Sequence, residues 1–493
     1  MRSNYIHYGS PLFRLLSDNQ IEEIHLATLQ ILEKTGVKFD HKEAIEILDG
    51  IGADVSNPKR IKIPSYLVEK ALAIAPKTIT LYSRDGEPAI ILNGINGCHF
   101  GPIPDPRKII DPYTSQVRTT YVEDIADFSR LIDALPHMEW SYTASANTTL
   151  PTFPGLDISD RVTALQYTRN CSKPLISEVT NVPALKEIIE LCSVIAGSEE
   201  NLRKKPFFSG SCEPVTPLVQ GEDAMGKTLL CGEKGLPIVI YSMPMAGSTT
   251  PATWPGILAL ANAEVLSQMV VVQHKYPGTP VIYGGIPNIM EMKTTIFPYG
   301  APELSLLVAA LTEICHFYKL PMFGTAGCSD AYNIGAQMGA EVTYQILMTA
   351  LSGADLVHDV SIMYHGTVGS MEQTVFCDEI IDMTNTCMGG IEINDDTLPL
   401  GLIDRVGPQG VYISEKHTLK HFRKFWAPTI FDRSASRNEN SKNCEDLLKD
   451  KTIRLMETHK PKPLSEVVSK ELNKMEKNWL SRIGLDKYPE RPR

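Results

Sequence analysis

Closely spaced cysteines are missing from this sequence. Its ten cysteines stand at least ten residues apart, at positions 98, 171, 192, 212, 231, 315, 328, 377, 387 and 444. This spacing excludes a C-x-x-C redox motif and a zinc knuckle. In a chain of 493 residues, scattered cysteines are typical of buried thiols in a reducing compartment.

An excess of positive charge is also missing. The chain has 47 Lys and Arg residues against 58 Asp and Glu residues, which gives a net charge of −11. A surface of this sign repels phosphate backbones, so the composition argues against nucleic acid as a partner.

The sequence shows no unbroken apolar span. Its start, MRSNYIHYGSPLFRLL, lacks the apolar core of a secretion signal. No charged residue occurs between Lys234 and Glu264, but prolines at 237, 244, 251 and 255 interrupt that stretch. The pattern favours a buried strand, a loop and the start of a helix over a membrane span. We therefore expect a soluble, cytoplasmic protein that does not bind membranes.

Nucleotide-binding motifs are absent or incomplete. Residues 221–228, GEDAMGKT, match G-x-x-x-x-G-K-[ST], but Glu222 and Asp223 would place two carboxylates in the phosphate loop. We interpret the match as the acidic first turn of a helix. A G-x-G-x-x-G fingerprint for flavin or nicotinamide is also missing.

Metal ligands are poorly grouped. Of twelve histidines, only His417 and His421 have the i, i+4 spacing that places two imidazoles on one helical face. No Glu follows His417, and the sequence shows no evident third ligand. The two histidines are therefore interpreted as a surface or packing pair, and no metal site is predicted.

What the sequence does contain is a regular alternation of short apolar segments and helix-length segments. The predicted strands lie at 98–103, 140–146, 175–179, 207–212, 238–243, 281–283, 322–324 and 356–360. The predicted helices lie at 123–135, 158–170, 184–196, 222–233, 254–274, 302–318, 335–351 and 371–384. This α/β pattern predicts a (β/α)₈ TIM barrel, with an open doubly wound sheet as the alternative.

The segments outside this alternation predict two additions to the barrel. Residues 1–95 are expected to form an N-terminal helical cap with a small hairpin, including helices after Ser17, at 42–51 and at 64–75. Residues 96–390 form the barrel. Residues 391–493 form a C-terminal helical extension that packs on it, with an amphipathic helix at 464–479.

Candidate site residues follow from the barrel, because functional groups lie where its strands end. The candidates are Phe100, Asn147, Glu178, Glu213, Met245, Tyr283, Asp330, Tyr332, His358, Tyr364 and His365. Two later segments, holding Phe376 and His417, could fold over the mouth. This set is rich in aromatics and carboxylates and poor in cations. It predicts a pocket for a cationic small molecule, since each aromatic ring attracts a cation by about 0.5–2 kcal/mol.

Each candidate also has a purely structural interpretation. Glu178 and Glu213 could be ion-pair partners, Tyr283 and Tyr332 packing aromatics, and His358 a satisfied core histidine.

Eight segments carry a family resemblance. They are PMAG at 244–247, LANAE at 260–264, PVIYG at 280–284, MEMK at 290–293, GAPE at 300–303, GTAGCSDA at 324–331, HTL at 417–419 and DR at 432–433. In this order, over nearly the whole chain, they resemble the trimethylamine methyltransferase superfamily. The resemblance implies a (β/α)₈ barrel that moves a methyl group from an amine to the cobalt of a separate corrinoid protein.

The resemblance also indicates the substrate class. The archaeal amine enzymes carry pyrrolysine in a region we place around 324–333, where this chain has only standard residues. It therefore resembles the glycine betaine-type members, which demethylate quaternary amines. A quaternary ammonium leaves as a neutral amine, so we predict neither a general acid nor a nucleophile on this chain. Asn147, His358 or His417 would hold the substrate carboxylate.

The expected cofactor arrangement follows. The D-x-H-x-x-G run of corrinoid carriers is missing, so the chain should bind no cofactor tightly and should receive Co(I) corrinoid on a partner protein. A homo-oligomer is expected. Open alternatives are proline betaine, carnitine, γ-butyrobetaine or trimethylamine as substrate, a non-catalytic betaine sensor, and an unrelated barrel lyase or hydrolase.

Overall fold

A sheet of eight parallel strands forms the centre of the protein. The computed structural model describes residues 13–94, 97–144, 149–151, 157–434 and 441–492. The eight strands, here β1 to β8, are His99–Phe100, Ser141–Thr143, Leu175–Glu178, Phe208–Cys212, Ile238–Ser242, Val281–Gly285, Met322–Thr325 and Leu356–His358. Consecutive strands pair from β2 to β8, and β8 pairs with β1. Each predicted strand segment overlaps one of these strands, and the predictions at 281–283 and 322–324 end one or two residues early.

The sheet closes between β1 and β2. Phe100 forms a parallel bridge with Met138, and the backbone N–H of Tyr142 donates to the carbonyl of Pro102 at 3.1 Å. β1 is short because Pro102 and Pro104 have no N–H to donate to a ladder. The predicted barrel is therefore confirmed, and the alternative of an open sheet is wrong.

Eight helices surround the sheet, one after each strand. Here α1 to α8, they are Val122–Ala134, Ser159–Asn170, Val182–Ala196, Glu222–Lys234, Trp254–Lys275, Pro302–Phe317, Ala336–Ser352 and Met371–Met388. All eight were expected from the sequence within a few residues, apart from a longer carboxyl end in α8.

The apolar stretch after Lys234 forms β5, a loop and α5. Among the described helices, α5 is long and apolar enough to cross a membrane, with a mean hydropathy of 1.5. However, 89% of its most apolar window is buried inside the protein. It packs against two N-terminal helices, Asp18–Gln30 and Ser65–Ile74, as a core helix does.

The N-terminal region contains the expected helices. Besides the two just named, a π-helical turn spans Ile31–Thr35 and a helix spans Lys42–Gly50. Ser17 and Gln20 form a capping box, with the Ser17 N–H donating to Gln20 Oε1 at 2.9 Å. Pro64, the first residue of the helix predicted at 64–75, is the N-cap residue that precedes the helix Ser65–Ile74.

The hairpin plugs the end of the barrel where the strands begin. Its strands, Ile79–Tyr82 and Pro88–Leu92, hydrogen-bond through Tyr82 N–H to the Pro206 carbonyl, just before β4. The adjoining turn makes an equivalent hydrogen bond, in which the Arg84 N–H donates to the Ser172 carbonyl before β3. The apolar side chains of the hairpin share one cluster with inward-facing strand residues such as Val239. A functional site is therefore expected at the other end of the barrel, where the strands end.

The C-terminal region wraps the outside of the barrel. A helix at Cys444–Thr458 packs on α8 and α1, and a helix at Glu466–Arg482 packs on α3. Between them and α8 lie a helix at Leu400–Val406, a helix at Lys416–His421 and a 3₁₀ turn at Phe422–Lys424. The remaining elements are the helix Glu199–Lys204 and the short strands Lys38–Phe39, Lys108–Ile110, Val117–Thr119, Val219–Gln220, Met245–Ala246, Asn288–Ile289, Ile362–Met363 and Val368–Ser370.

Candidate functional site

Polar and aromatic side chains meet inside the barrel near the carboxyl ends of the strands. Side chains alternate along a strand, so every second residue of β2 to β8 points inward. The inward-facing set at this level, which we call the barrel site, is Tyr142, Glu178, Ser211, Glu213, Tyr241, Phe323 and His358. Of these, Glu178, Glu213 and His358 were predicted from the sequence.

Hydrogen bonds join the polar members of the barrel site. Tyr142 Oη donates to Glu178 Oε2 at 3.1 Å and lies 3.0 Å from Tyr241 Oη. Ser211 Oγ donates to Glu178 Oε2 at 2.8 Å. Burial raises the pKa of both tyrosines well above the usual value, so they remain neutral phenols. The network holds Glu178 in a fixed position.

A buried lysine neutralises Glu178. Lys227 lies on α4 and is 4% exposed, and its Nζ lies 2.6 Å from Glu178 Oε1 and 2.6 Å from the Val179 carbonyl. Burial lowers the pKa of Lys227, but the charge and hydrogen bond of Glu178, together with smaller contributions from Cys212 and Asp160, raise the net pKa. Lys227 belongs to the GEDAMGKT segment, whose Glu222 begins α4. The interpretation as a helix first turn is confirmed, and the role of its lysine was missed.

Glu213 provides the second carboxylate, without a cation beside it. Its side chain is accessible to solvent, yet the surrounding protein desolvates the carboxyl. This desolvation, together with the Glu178 charge, raises the pKa of Glu213 to about 7. The described residues place no cation within ion-pairing distance of it. The barrel site therefore has one carboxylate more than its single buried cation balances, and it favours a bound cation or a proton.

Aromatic rings form the wall beside these carboxylates. The rings of Phe323 and His358 stack with centroids 4.3 Å apart, and Tyr142 and Tyr241 lie 5.8 and 5.4 Å from Phe323. His358 Nδ1 is 2.6 Å from the Gly324 carbonyl, which can only accept, so Nδ1 carries the proton. The rings and carboxylates together suit an N-methylated cation.

A second cluster, which we call the rim cluster, lies on the loops after β6 to β8. Asp330 accepts hydrogen bonds from the N–H groups of Tyr299 and Gly300 at 2.9 and 2.8 Å. His365 bridges Asp330 Oδ1 at 2.9 Å and Tyr332 Oη at 3.1 Å. The Tyr332 and Tyr364 rings meet edge to face at 4.7 Å.

Tyr299 lies between the two clusters. Burial raises its pKa well above the usual value, with further contributions from Asp359, Glu213 and Asp330. Its ring also contacts Phe297 at 5.0 Å. These two loop aromatics follow no periodic pattern, and they were not predicted from the sequence.

Other predicted residues lie away from the barrel site. Phe100 and Tyr283 point outward into the layer between strands and helices, where Tyr283 Oη donates to Asn262 Oδ1 at 3.0 Å. Phe376 packs on α8 against Phe431 at 5.8 Å. Met245 begins a short strand that pairs with Asn288–Ile289. Asn147 lies outside the described residues.

His417 also lies elsewhere, in the segment after α8. His417, His421 and Asp396 bring one ligand atom each within 4.8 Å of one another, so the structure supplies the third ligand that the sequence did not show. However, Lys420 Nζ already lies 2.7 Å from both carboxylate oxygens of Asp396. The three residues therefore belong to an ion-paired cluster at the surface.

A cleft of about 660 Å³ lies at the opposite end of the barrel, beside the hairpin. It is lined by Arg84, Lys204, Lys205 and Lys462, with Asp85 as a carboxylate. Its charge suits an anion, so it does not compete with the barrel site for a cation.

A closed (β/α)₈ barrel with carboxylates and aromatic rings at the carboxyl ends of its strands defines a barrel protein whose side chains there can attract a cation. Similarity to known proteins narrows this class. The chain belongs to the trimethylamine methyltransferase (MTTB) family, whose model matches residues 1–478. The resemblance inferred from the motifs is confirmed, and the chain is a methyltransferase of this family.

Several relatives match over most of the chain. Trimethylamine methyltransferase MttB of Desulfitobacterium hafniense (strain DSM 10664 / DCB-2) is 32% identical over 95% of this chain and 94% of its own. Glycine betaine methyltransferase of Desulfitobacterium hafniense (strain Y51) is 30% identical over 86% and 88%. The crystal structure of the Methanosarcina barkeri monomethylamine methyltransferase covers 97% of this chain and 90% of its own, at 10% identity and a TM-score of 0.48.

Proposed function

We propose that this protein transfers a methyl group from glycine betaine to Co(I) of a separate corrinoid protein and releases dimethylglycine. Membership of a methyltransferase family supports the reaction class. The relative named glycine betaine methyltransferase supports the substrate. The chain lacks a D-x-H-x-x-G run, which supports a corrinoid that arrives on a partner.

The unbalanced charge of the barrel site carries this proposal. Lys227 pairs with Glu178, whereas no described cation forms an ion pair with Glu213, and burial raises the pKa of Glu213 to about 7. A quaternary ammonium supplies a permanent positive charge, and the faces of Tyr142, Tyr241 and Phe323 offer cation–π contacts. Substrate contacts are assigned to these residues and to His358.

The reaction requires the protein to orient the substrate and to remove water from around it. Co(I) attacks the methyl carbon with its electron pair as the C–N bond breaks, and the nitrogen keeps the bonding pair and leaves as a neutral tertiary amine. Positive charge drains from nitrogen during the step, so a very strong cage would stabilise the substrate more than the transition state. The closed barrel holds the substrate in line and excludes water. No proton is needed, so no general acid is assigned.

Trimethylamine is the second candidate, favoured by one observation. A tertiary amine needs a proton before the methyl group leaves, and a carboxyl with a pKa of about 7 could donate one. The relative named trimethylamine methyltransferase is 32% identical.

An optical assay tests these alternatives. The purified chain is mixed with Co(I) cobalamin and one amine at a time, and methyl-Co(III) formation is followed by absorbance. We expect methylation with glycine betaine and none with trimethylamine. Methylation with trimethylamine alone would favour the second candidate. Tight betaine binding without methylcobalamin, with the cognate carrier present, would indicate a sensor.

A further inference from the structure

The LANAE segment on α5 ends in a buried carboxylate, Glu264, that lies outside the barrel site. Its side chain is fully buried, with an exposed fraction of 0%. Oε2 of Glu264 accepts hydrogen bonds from the hydroxyl groups of Thr216, at 2.9 Å, and Ser242. Oε1 accepts one from the backbone N–H of Leu218 at 2.7 Å. Burial raises the pKa of Glu264, and the three hydrogen bonds limit that rise and favour the carboxylate form.

The three donors lie at the ends of two neighbouring strands of the barrel. Thr216 and Leu218 belong to residues 213–220, which we call the β4 loop because they follow β4, and Ser242 is the last residue of β5. The first residue of the β4 loop is Glu213, the carboxylate of the barrel site that has no ion-pair partner among the described residues. Glu264 therefore ties the loop that carries Glu213 to the end of the next strand.

The β4 loop depends on such contacts because its backbone is unfavourable at one point. Leu218 has a φ of 57°, in the left-handed region that residues with a Cβ atom avoid. Its N–H donates to Glu264, and its carbonyl accepts a hydrogen bond from the Lys38 N–H at 2.9 Å. Val215 and Val219 exchange backbone hydrogen bonds on either side of it, at 2.8 and 3.1 Å. A strained conformation persists only where the surrounding structure fixes it, and Glu264 supplies one of these contacts from the helical layer.

Glu264 also acts on Glu213 through its charge. Desolvation is the largest cause of the raised pKa of Glu213, the Glu178 charge comes next, and the Glu264 charge adds to both. Tyr241 and Lys227 act in the opposite direction. A neutral side chain in place of Glu264 should therefore lower the pKa of Glu213.

We propose that Glu264 is a positioning residue for the barrel site, which fixes the β4 loop so that Glu213 faces the cationic group of the substrate. Glu264 is fully buried, so it acts through Glu213 and not by contact with the substrate. The capture of the cation rests on the proposed function, whereas the anchoring of the β4 loop does not.

Two variants of Glu264 separate its hydrogen bonds from its charge. Glu264→Gln keeps the size of the side chain, and its amide can accept from the Leu218 N–H and donate to the two hydroxyl groups. Glu264→Leu removes the hydrogen bonds and the charge together. Asp355→Asn is the matched control, because Asp355 is 1% exposed and accepts three backbone N–H bonds where the strands begin.

Hydrogen exchange of the full chain without substrate tests the anchoring of the β4 loop. The Leu218 amide should exchange about tenfold faster or more in Glu264→Leu, because it loses a hydrogen bond to a carboxylate. It should keep the rate of the unmodified protein in Glu264→Gln and in Asp355→Asn. An unchanged rate in Glu264→Leu would overturn the proposal, whether or not the protein binds betaine.

Calorimetric titration with glycine betaine between about pH 5 and 9 tests the effect on Glu213. The lower pKa of Glu213 in Glu264→Gln keeps the carboxylate ionised to lower pH, so betaine affinity should be lost at a lower pH than in the unmodified protein. Asp355→Asn should lose affinity at the same pH as the unmodified protein.

The outcomes of the titration separate this proposal from the proposed function. The same pH for the loss of affinity in Glu264→Gln as in the unmodified protein, or an equal shift in Asp355→Asn, would overturn the role of Glu264. An unmodified protein that binds no betaine would overturn the proposed function instead, and hydrogen exchange would then decide the role of Glu264 alone.

Discussion

Lys227 and Glu178 form a salt bridge inside the barrel, with Nζ and Oε1 2.6 Å apart. The lysine comes from α4 and the carboxylate from the end of β3, so the pair ties the helical layer to the barrel site. It also neutralises one of two neighbouring carboxylates, which leaves Glu213 to decide the charge of the pocket.

Removal of this lysine should destabilise the fold. Lys227→Met leaves the Glu178 carboxylate, whose side chain is 26% exposed, without its buried partner. We expect the free energy of unfolding in urea to fall by about 3 kcal/mol. Lys234→Met on the same helix is the control, because Lys234 pairs with a half-exposed Glu199 and should cost less than about 1 kcal/mol. Equal losses of unfolding free energy in the two variants would mean that the buried pair stabilises the fold no more than the exposed pair does.

Cation binding should depend on the protonation of Glu213. Its pKa is raised to about 7, so the carboxylate that attracts a cation is lost as the pH falls through that value. We expect betaine affinity to fall up to about tenfold for each pH unit below 7. Calorimetry in two buffers of different ionisation enthalpy should show proton release on binding near pH 7. The Glu213→Gln variant should bind betaine weakly, with no pH dependence in this range. If the variant kept the pH dependence of the unmodified protein, Glu213 would be excluded as the titrating group.

Stability should show the opposite dependence on this group. A carboxyl with a folded-state pKa above its usual 4.5 favours the folded state in its protonated form. That contribution is present at low pH and is lost as the pH rises through about 7. We expect Glu213→Gln to unfold at a higher urea concentration than the unmodified protein above pH 7, and at a similar one below pH 5. A variant that is less stable at every pH would contradict this.

The fold could be predicted from sequence because its signals are local. Eight apolar segments alternate with helices, and turn residues such as Gly235 and Gly353 end α4 and α7 in the left-handed conformation. The number of strands then limits the topology.

The site could be predicted only in part. Glu178, Glu213 and His358 were predicted because they lie where strands end. Phe100 and Tyr283 point outward, a direction that the sequence could not give, because both faces of a parallel strand are buried and a shift of one residue reverses the direction of a side chain.

The remaining site residues depend on tertiary structure. Tyr142 and Tyr241 lie on strands that are buried on both faces, and Lys227 reaches Glu178 from a distant helix. No local pattern reports such a contact.

A pair of tyrosine substitutions separates the inner face of the barrel from the outer one. Tyr142 Oη contacts Glu178 and Tyr241, whereas Tyr283 Oη donates to Asn262 in the helical layer. Tyr142→Phe should lower kcat/KM for methyl transfer about tenfold or more, because Glu178 loses a positioning hydrogen bond. Tyr283→Phe should leave kcat/KM unchanged and cost about 1 kcal/mol of stability. Both variants keep the aromatic ring, so neither result is explained by lost packing. If Tyr283→Phe impaired turnover and Tyr142→Phe did not, the substrate would bind outside the barrel site.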